Sequence, residues 1–168
     1  MSRLLFLIFF LAGVNSGYTQ VSATSDWIWV EGESLPGKPG VYGTKGVAAA
    51  GNKPGARNSA GKWTDASGNF WLFGGHGTDA SGVNGYLNDL WKFTPATGLW
   101  TWVGGEKTVT QTSGIFGTKG SPSAANWPGS RDSRSLSWTD NSGKFWLFGG
   151  YRMINASAQV LNDLWVYD

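Results

Sequence analysis

Two short apolar runs dominate the pattern of hydrophobic and polar positions along the chain. They are residues 70–73 (FWLF) and residues 145–148 (FWLF again). Because side chains alternate between the two faces of a strand, each run carries bulky apolar groups on both faces. A sheet with one wet face would not need this pattern, whereas a sheet packed between two others would. Each run therefore predicts a central strand of a sheet that is buried on both sides.

Turn residues divide the surrounding sequence into short strands. Residues 64–68 place Asp and Gly where a tight hairpin needs them, and Gly74-Gly75 and Pro95 are expected to stop the strands that precede them. No segment has helical periodicity, and the spacing of Gly and Pro would break helices. The predicted strands end near Trp63 and cover residues 70–73, 87–93 and 100–103.

The same blocks recur in the same order 73 to 75 residues later. Residues 63–75 match residues 138–150 at 11 of 13 positions, and residues 87–91 (LNDLW) recur unchanged at 161–165. Residues 27–30 (WIWV) echo residues 100–103 (WTWV), so they predict a further fourth strand. A fixed period of this kind is the signature of a repeat architecture.

The repeated motifs resemble kelch repeats, including those in the central domain of galactose oxidase. The resemblance is carried by a double glycine after an apolar strand, an Asn-Asp-Leu-Trp strand and a Trp that opens the fourth strand. The residues are Gly74, Gly75, Asn88, Asp89, Trp91 and Trp100, with Gly149, Gly150, Asn162, Asp163 and Trp165 in the second copy. It implies an all-β fold of β-propeller blades, each of four antiparallel strands.

About two such blades are present, which makes a partial propeller. The expected organisation is a signal peptide (1–23), a fourth-strand motif with an inter-blade insert (24–54), a first blade (55–104), a second insert (105–128) and a second blade that lacks its fourth strand (129–168). Propellers need four to eight blades. Two explanations stay open: the sequence is part of a longer propeller, or several chains assemble into a ring as a homo-oligomer.

Residues 1–23 have the features of a signal peptide: a positive charge at Arg3, an apolar run of 11 residues at 4–14 and a plausible cleavage site after Ala23. The run is too short to span a bilayer, and no later segment is apolar enough. The chain has no cysteine, which excludes disulfides and thiolate metal sites. We therefore expect a secreted or cell-surface protein without a membrane span, and a bacterial source.

The composition restricts the classes of partner that the chain is expected to bind. Aromatic residues make up 15% of the chain, which argues against disorder. The formal net charge is only +2 and no basic run stands out, so nucleic acid is not an expected partner. An unidentified protein or glycan is the expected partner instead.

Recognition is expected on the long connections between strands 2 and 3 and between blades, which lie at one end of the sheets. The 2–3 connections differ most between the copies, which suits recognition and equally suits a loop under no constraint. The candidate binding residues are His76, Asp79, Trp127, Tyr151 and Arg152.

Other polar residues have structural interpretations. Asp65 and Asp140 are expected to cap turns, Arg57 and Arg131 to bond loop carbonyls, and Asn88, Asp89, Asn162 and Asp163 to bond turn backbone. His76 is the only histidine, and no motif supplies a nucleophile or second ligand for it.

The sequence therefore favours a non-catalytic kelch-repeat interaction module without a cofactor, a metal or catalytic residues. One alternative is part of a galactose-oxidase-like copper enzyme; that resemblance implies two His, two Tyr and a Tyr–Cys crosslink, whereas this chain has one His and no Cys. Another alternative is a structural or adhesive propeller at the cell surface. The resemblance to the fold alone is a weak guide to function.

Overall fold

The computed structural model describes residues 26–132 and 136–168, and their regular structure is all β. Within these ranges there is no helix, and hence none that is long and apolar enough to cross a membrane. The predicted signal peptide, residues 1–23, lies outside the described residues. The strands are β1 (Ala48–Ala49), β2 (Arg57–Asn58), β3 (Gly61–Thr64), β4 (Phe70–Thr78), β5 (Asn84–Thr94), β6 (Leu99–Gly104), β7 (Gly114–Ile115), β8 (Trp127–Pro128), β9 (Leu136–Thr139), β10 (Phe145–Ile154) and β11 (Ser157–Tyr167).

The strands form two antiparallel sheets and one small pair. The first sheet has the order β1-β6-β5-β4-β2, with β3 also paired to β4; the second has the order β11-β10-β9. Strands β7 and β8 pair with each other in the insert between the sheets. The predicted strand positions in both repeats are confirmed, and the described sheets do not close into a barrel.

The double glycines do not end their strands, and that prediction was wrong. Strand β4 continues through Gly74 and Gly75 to Thr78, with a bulge where the register to β5 shifts between Phe73 and Gly75. Gly74 and Gly75 have φ angles of 59° and 98°, which favour glycine. A Cβ on Gly74 would lie 2.8 Å from the carbonyl oxygens of Leu87 and Arg131, so a side chain there would also clash with backbone.

The connections between strands 2 and 3 are short, whereas long loops were predicted. After the bulge both strands resume pairing, which leaves only residues 79–83 between β4 and β5. In the second sheet β10 and β11 are joined by Asn155 and Ala156, both with positive φ, as a tight two-residue hairpin turn requires. The insert between β6 and β9 is long, as predicted; its described residues include the β7–β8 pair and an isolated bridge from Asp132 to Tyr151.

Residues 27–30 do not form the predicted fourth strand. They have no regular structure, and Trp27 is 100% exposed. Their repeat counterpart, residues 100–103, lies in β6, where β5 supplies a hydrogen-bonded neighbour. Among the described strands, β11, the counterpart of β5, pairs with β10 alone. The WIWV pattern thus supplies strand-forming residues, and the hydrogen-bonded neighbour decides whether a strand forms.

One of two core clusters lies between the two sheets, and the other joins Tyr42 to Trp91 and Trp102 of the first sheet. Trp63, Phe73 and Leu90 of the first sheet pack against Phe145 and Leu147 of the second, and all five are buried. The Trp63 indole N–H also donates a hydrogen bond of 3.1 Å to the carbonyl of Trp146. A buried indole normally finds such a partner, so this bond fixes how the sheets sit against each other.

Candidate functional site

Each repeat contains an ion pair next to its double glycine. Arg57 donates two hydrogen bonds to the Asp89 carboxylate, at 2.6 and 2.8 Å, and Arg131 does the same to Asp163, at 2.7 and 2.8 Å. The two-pronged geometry suits a guanidinium facing a carboxylate. The arginines also bond loop carbonyls, as predicted: Arg57 reaches those of Gly55 and Gly74, and Arg131 those of Gly129 and Gly149.

The hydrogen bonds of the two aspartates in these pairs differ from the prediction. Asp89 and Asp163 were predicted to bond turn backbone, but each accepts an arginine and the indole N–H of the tryptophan two residues later, Trp91 or Trp165, at 2.7 Å. Asp89 additionally accepts the Tyr42 hydroxyl at 2.6 Å. Because these bonds engage both charges of each pair, the pairs hold the fold together; the first pair is buried, whereas the Asp163 side chain of the second is 14% exposed.

The predicted binding residue Asp79 is structural. Its side chain is buried and accepts four hydrogen bonds, from the backbone N–H groups of Ser81, Val83 and Val109 and from the Ser81 hydroxyl. Burial raises the pKa of Asp79, but these bonds, led by that from Val109, outweigh it and lower the pKa below its usual value. Asp79 thus ties the turn at 79–83 to the insert, and its carboxylate is not offered to a ligand.

Trp127 and Asn88 belong to the packing between insert and sheet. The Trp127 indole donates to the Asn88 carbonyl at 2.8 Å, and the Asn88 side chain accepts the backbone N–H of Glu106 at 3.0 Å. Trp127 lies in β8 and was predicted in an open loop. With Lys45 and Glu106 it lines an open cavity of about 280 Å³. By contrast Asn162, the counterpart of Asn88, is exposed.

Arg152 is buried near the Arg131–Asp163 pair. It donates to the Gln159 side chain at 2.8 Å and to the Thr112 carbonyl at 2.9 Å. Burial, and then the charge of Arg131, lower its pKa, although an arginine stays charged at any ordinary pH. Its role is to bridge β10, β11 and the insert.

Three aromatic side chains converge where the two sheets meet at this end. His76 on β4 meets Tyr86 on β5 edge to face, with ring centroids 4.9 Å apart, and Tyr86 meets Tyr151 on β10 at 5.8 Å. All three are half-buried. We call His76, Tyr86 and Tyr151 the aromatic triad. The predicted residues His76 and Tyr151 are thus brought together, although they lie on strands and not in loops.

Tyr86 was missed by the sequence analysis. It was assigned to a loop because the double glycine was expected to end the strand. The alternation along β5 gave no signal for it, because the register to β4 shifts between Leu90 and Leu87 and the regular change of faces is interrupted there. Asp132, next to Arg131, was also missed; it is buried, and its backbone pairs with Tyr151.

The turn aspartates behave as predicted. Asp65 accepts the backbone N–H groups of Ser67 and Asn69 and the Trp71 indole; Asp140 accepts those of Ser142 and Lys144 and the Trp146 indole. The bond from Trp146, followed by that from the Ser142 hydroxyl, lowers the pKa of Asp140 far below its usual value. Within residues 26–132 and 136–168, no three His, Asp or Glu side chains are grouped as a metal site would require.

No known family model matches the chain, and no curated protein sequence does. Among solved structures, the chain is similar to one described as "Structure of YjhT", with 21% sequence identity and a TM-score of 0.42. The match covers 61% of this chain and 23% of that chain. A likeness this low does not assign a fold family or a function.

Proposed function

We propose that this chain is a secreted, non-catalytic interaction module made of kelch-type propeller blades. Three features support the blades: two repeats with the motifs named above, antiparallel sheets of these repeats, and packing of one sheet on the other through Trp63 and Phe145. The first repeat supplies four strands in the order that a blade requires, β3 to β6. The predicted signal peptide is the reason to place the protein outside the cell.

The aromatic triad is the binding site in this proposal. Its rings come from both sheets, so the packing of rigid strands holds them, and they are half-buried, which leaves part of each ring accessible. Binding sites combine apolar ring surface with a few placed polar groups. The triad has this composition, since each ring carries a polar atom.

A glycan is the ligand class that fits best. A sugar presents apolar C–H faces and a rim of hydroxyls, which match rings with polar tips. The net charge of +2 gives no preference for a strongly charged partner. The observation that carries the proposal is the convergence of His76, Tyr86 and Tyr151 at one place.

An array of defined glycans and purified cell-wall polysaccharides would test this function. We expect the purified chain to bind a restricted set and the double variant Y86A/Y151A to lose at least tenfold in affinity. Trp27→Ala, which removes a fully exposed aromatic outside both sheets, serves as the matched control and should bind as the unmodified chain does. Binding that survives in Y86A/Y151A would disprove the site, and binding of proteins but no glycan would disprove the ligand class.

The absence of catalysis is also a proposal. His76 is the one histidine of the chain, and its ring packs against Tyr86. A copper oxidase of the galactose-oxidase kind would oxidise a primary alcohol to an aldehyde and reduce O2 to hydrogen peroxide. Peroxide release by the copper-loaded chain would contradict the proposal.

A further inference from the structure

Each sheet has two faces, which we name by their residues. The register pairs Phe73 with Leu90 and Phe148 with Leu164, and pairs of this kind point to the same side. The front face carries Trp63, Phe73 and Leu90 in the first sheet and Trp138, Phe148 and Leu164 in the second. The back face carries Phe70 and Leu72 in the first sheet and Phe145 and Leu147 in the second.

The packing inside the chain joins one front face to one back face. The front face of the first sheet lies on the back face of the second, where Trp63, Phe73, Leu90, Phe145 and Leu147 are all less than 9% exposed. Phe145 stacks on Trp63, at 5.4 Å between ring centroids, and meets Trp71 edge to face at 5.3 Å. The front face of the first sheet and the back face of the second sheet therefore pack closely against each other.

Among the described residues, no further sheet covers the complementary pair of faces. On the front face of the second sheet Trp138 is 42%, Phe148 40% and Leu164 54% exposed, and Leu136 and Val166 extend the apolar surface. On the back face of the first sheet Phe70 is 51% exposed, whereas Leu72 is half-buried because it packs against Tyr42, Trp91 and Trp102. A contiguous apolar patch of this kind marks an interaction surface.

The open faces have the same residues as the closed ones. Trp138, Phe148 and Leu164 stand where the first sheet has Trp63, Phe73 and Leu90. Phe70 and Leu72 stand where the second sheet has Phe145 and Leu147. All five side chains of the closed interface thus have counterparts, on the front face of the second sheet and the back face of the first.

We propose that the front face of the second sheet binds the back face of the first sheet in another copy of this chain. The contact is head to tail, because two different surfaces meet, and it repeats from copy to copy until a ring closes. The inference concerns self-association and does not depend on the glycan proposal.

One ring contact should change when a second copy of the chain binds. Trp138 stacks on Trp146 of its own sheet, with centroids 5.9 Å apart and planes 4° apart, whereas its counterpart Trp63 stacks on Phe145 across the interface. When a second copy binds, Trp138 should stack on Phe70 of that copy in the same way. The near-ultraviolet circular dichroism of Trp138 and Trp146 should change accordingly.

The solution mass of the purified chain, measured by light scattering on a sizing column over a range of concentrations, tests the proposal. We expect discrete oligomers of the unmodified chain, and monomers of Leu164→Lys and of Phe70→Lys. An equimolar mixture of these two variants should form a two-chain complex, because one variant keeps its back face and the other its front face.

Val166→Lys is the matched control. It introduces the same charge as Leu164→Lys on the same strand and face. Its counterpart in the first sheet is Lys92, which lies beside Trp71, so the closed interface already accepts a lysine at this position. The V166K chain should therefore stay oligomeric. Far-ultraviolet circular dichroism, which reports on the strands and not on the ring contact, verifies folding of every variant.

Several results would overturn the proposal. One is a monomeric unmodified chain at every concentration, a measurement that needs no variant to fold. Another is an F70K chain that associates as strongly as the unmodified chain, since that would indicate front-to-front pairing. Equal dissociation of L164K and V166K would indicate unspecific apolar contact and would also contradict it.

Discussion

Trp63 and Phe145 stack nearly parallel across the two sheets, with ring centroids 5.4 Å apart and planes inclined by 13°. Phe145 also contacts Trp71 and Tyr167, so it joins side chains of both sheets. This contact lies in the core that unites the repeats. The stability of the chain should therefore depend on the interface and not on each sheet alone.

Leu147 should be among the most sensitive core positions. It is buried within the interface next to Phe73 and Leu90, so Leu147→Ala should lower the free energy of unfolding by about 2–5 kcal/mol. Val160→Ala is the control, because Val160 is 86% exposed, and it should change stability by less than about 0.5 kcal/mol. Urea unfolding followed by tryptophan fluorescence measures both. Similar losses for the two variants would contradict the assignment of the core.

Replacement of the aspartate should lower the free energy of unfolding by different amounts in the two ion pairs. Asp89 is fully buried and also binds Tyr42, whereas the Asp163 side chain is 14% exposed. Asp89→Asn leaves Arg57 buried without its counter-charge and should cost about 3–5 kcal/mol. Asp163→Asn should cost less, since water can reach the site. Chemical denaturation of the two variants compares them directly, and a larger loss in D163N would contradict the argument.

The Tyr42 hydroxyl should make the fold sensitive to alkaline pH. Burial, and then the charge and hydrogen bond of Asp89, raise its pKa far above the usual value of 10.0. The unfolded chain releases this proton near pH 10 while the folded chain keeps it, so stability is full below that pH and falls as pH rises above it.

Tyr42→Phe tests this directly. Its repeat counterpart is Phe116, which packs on Trp165 at 5.0 Å, so the ring position accepts Phe. We expect Y42F to lose about 1.5–3 kcal/mol near neutral pH, the usual worth of a hydrogen bond to a charged group. Unfolding measured from about pH 8 to 11 should fall less steeply in Y42F than in the unmodified chain. Parallel curves would mean that Tyr42 does not cause the dependence.

Asp79 should stabilise the turn at 79–83 and its contact with the insert, without affecting the second sheet. Asp79→Ala removes the acceptor of four hydrogen bonds, three from within the turn at 79–83 and one from Val109 in the insert. Amide hydrogen exchange should accelerate at Ser81, Val83 and Val109, while the β10–β11 amides stay protected. Asp65→Ala, which breaks a turn at the opposite end of β4, is the control and should leave those three amides unchanged. Unchanged exchange in D79A would contradict the role given to Asp79.

The short-range features of this chain could be predicted from its sequence. The repeats located the strands, and the turns at Asp65 and Asp140 were correctly interpreted as capped by their side chains. Such turns depend on residues four or fewer apart, so the local sequence contains the information. The bonds from Arg57 and Arg131 to loop carbonyls were also foreseen, because these arginines follow a Pro-Gly turn.

The candidate site depended on contacts distant in sequence. Tyr86 and Tyr151 are 65 positions apart and meet only because one sheet packs on the other. Asp79 was expected to face a ligand, but Val109 in the insert helps to bury it. Neither fact follows from local propensity.

The sequence alone determined that the chain is all β, that it repeats with a period of about 74 residues and that its strands are apolar on both faces. Only the tertiary structure decided that Gly74-Gly75 lies inside a strand, opposite a bulge in β5, that residues 27–30 are not a strand and that His76 and Tyr151 share a site. The physical reason is that strand propensity and turn chemistry act between near neighbours. The pairing partner of a strand and the surface that covers a sheet are supplied by residues far away in the chain.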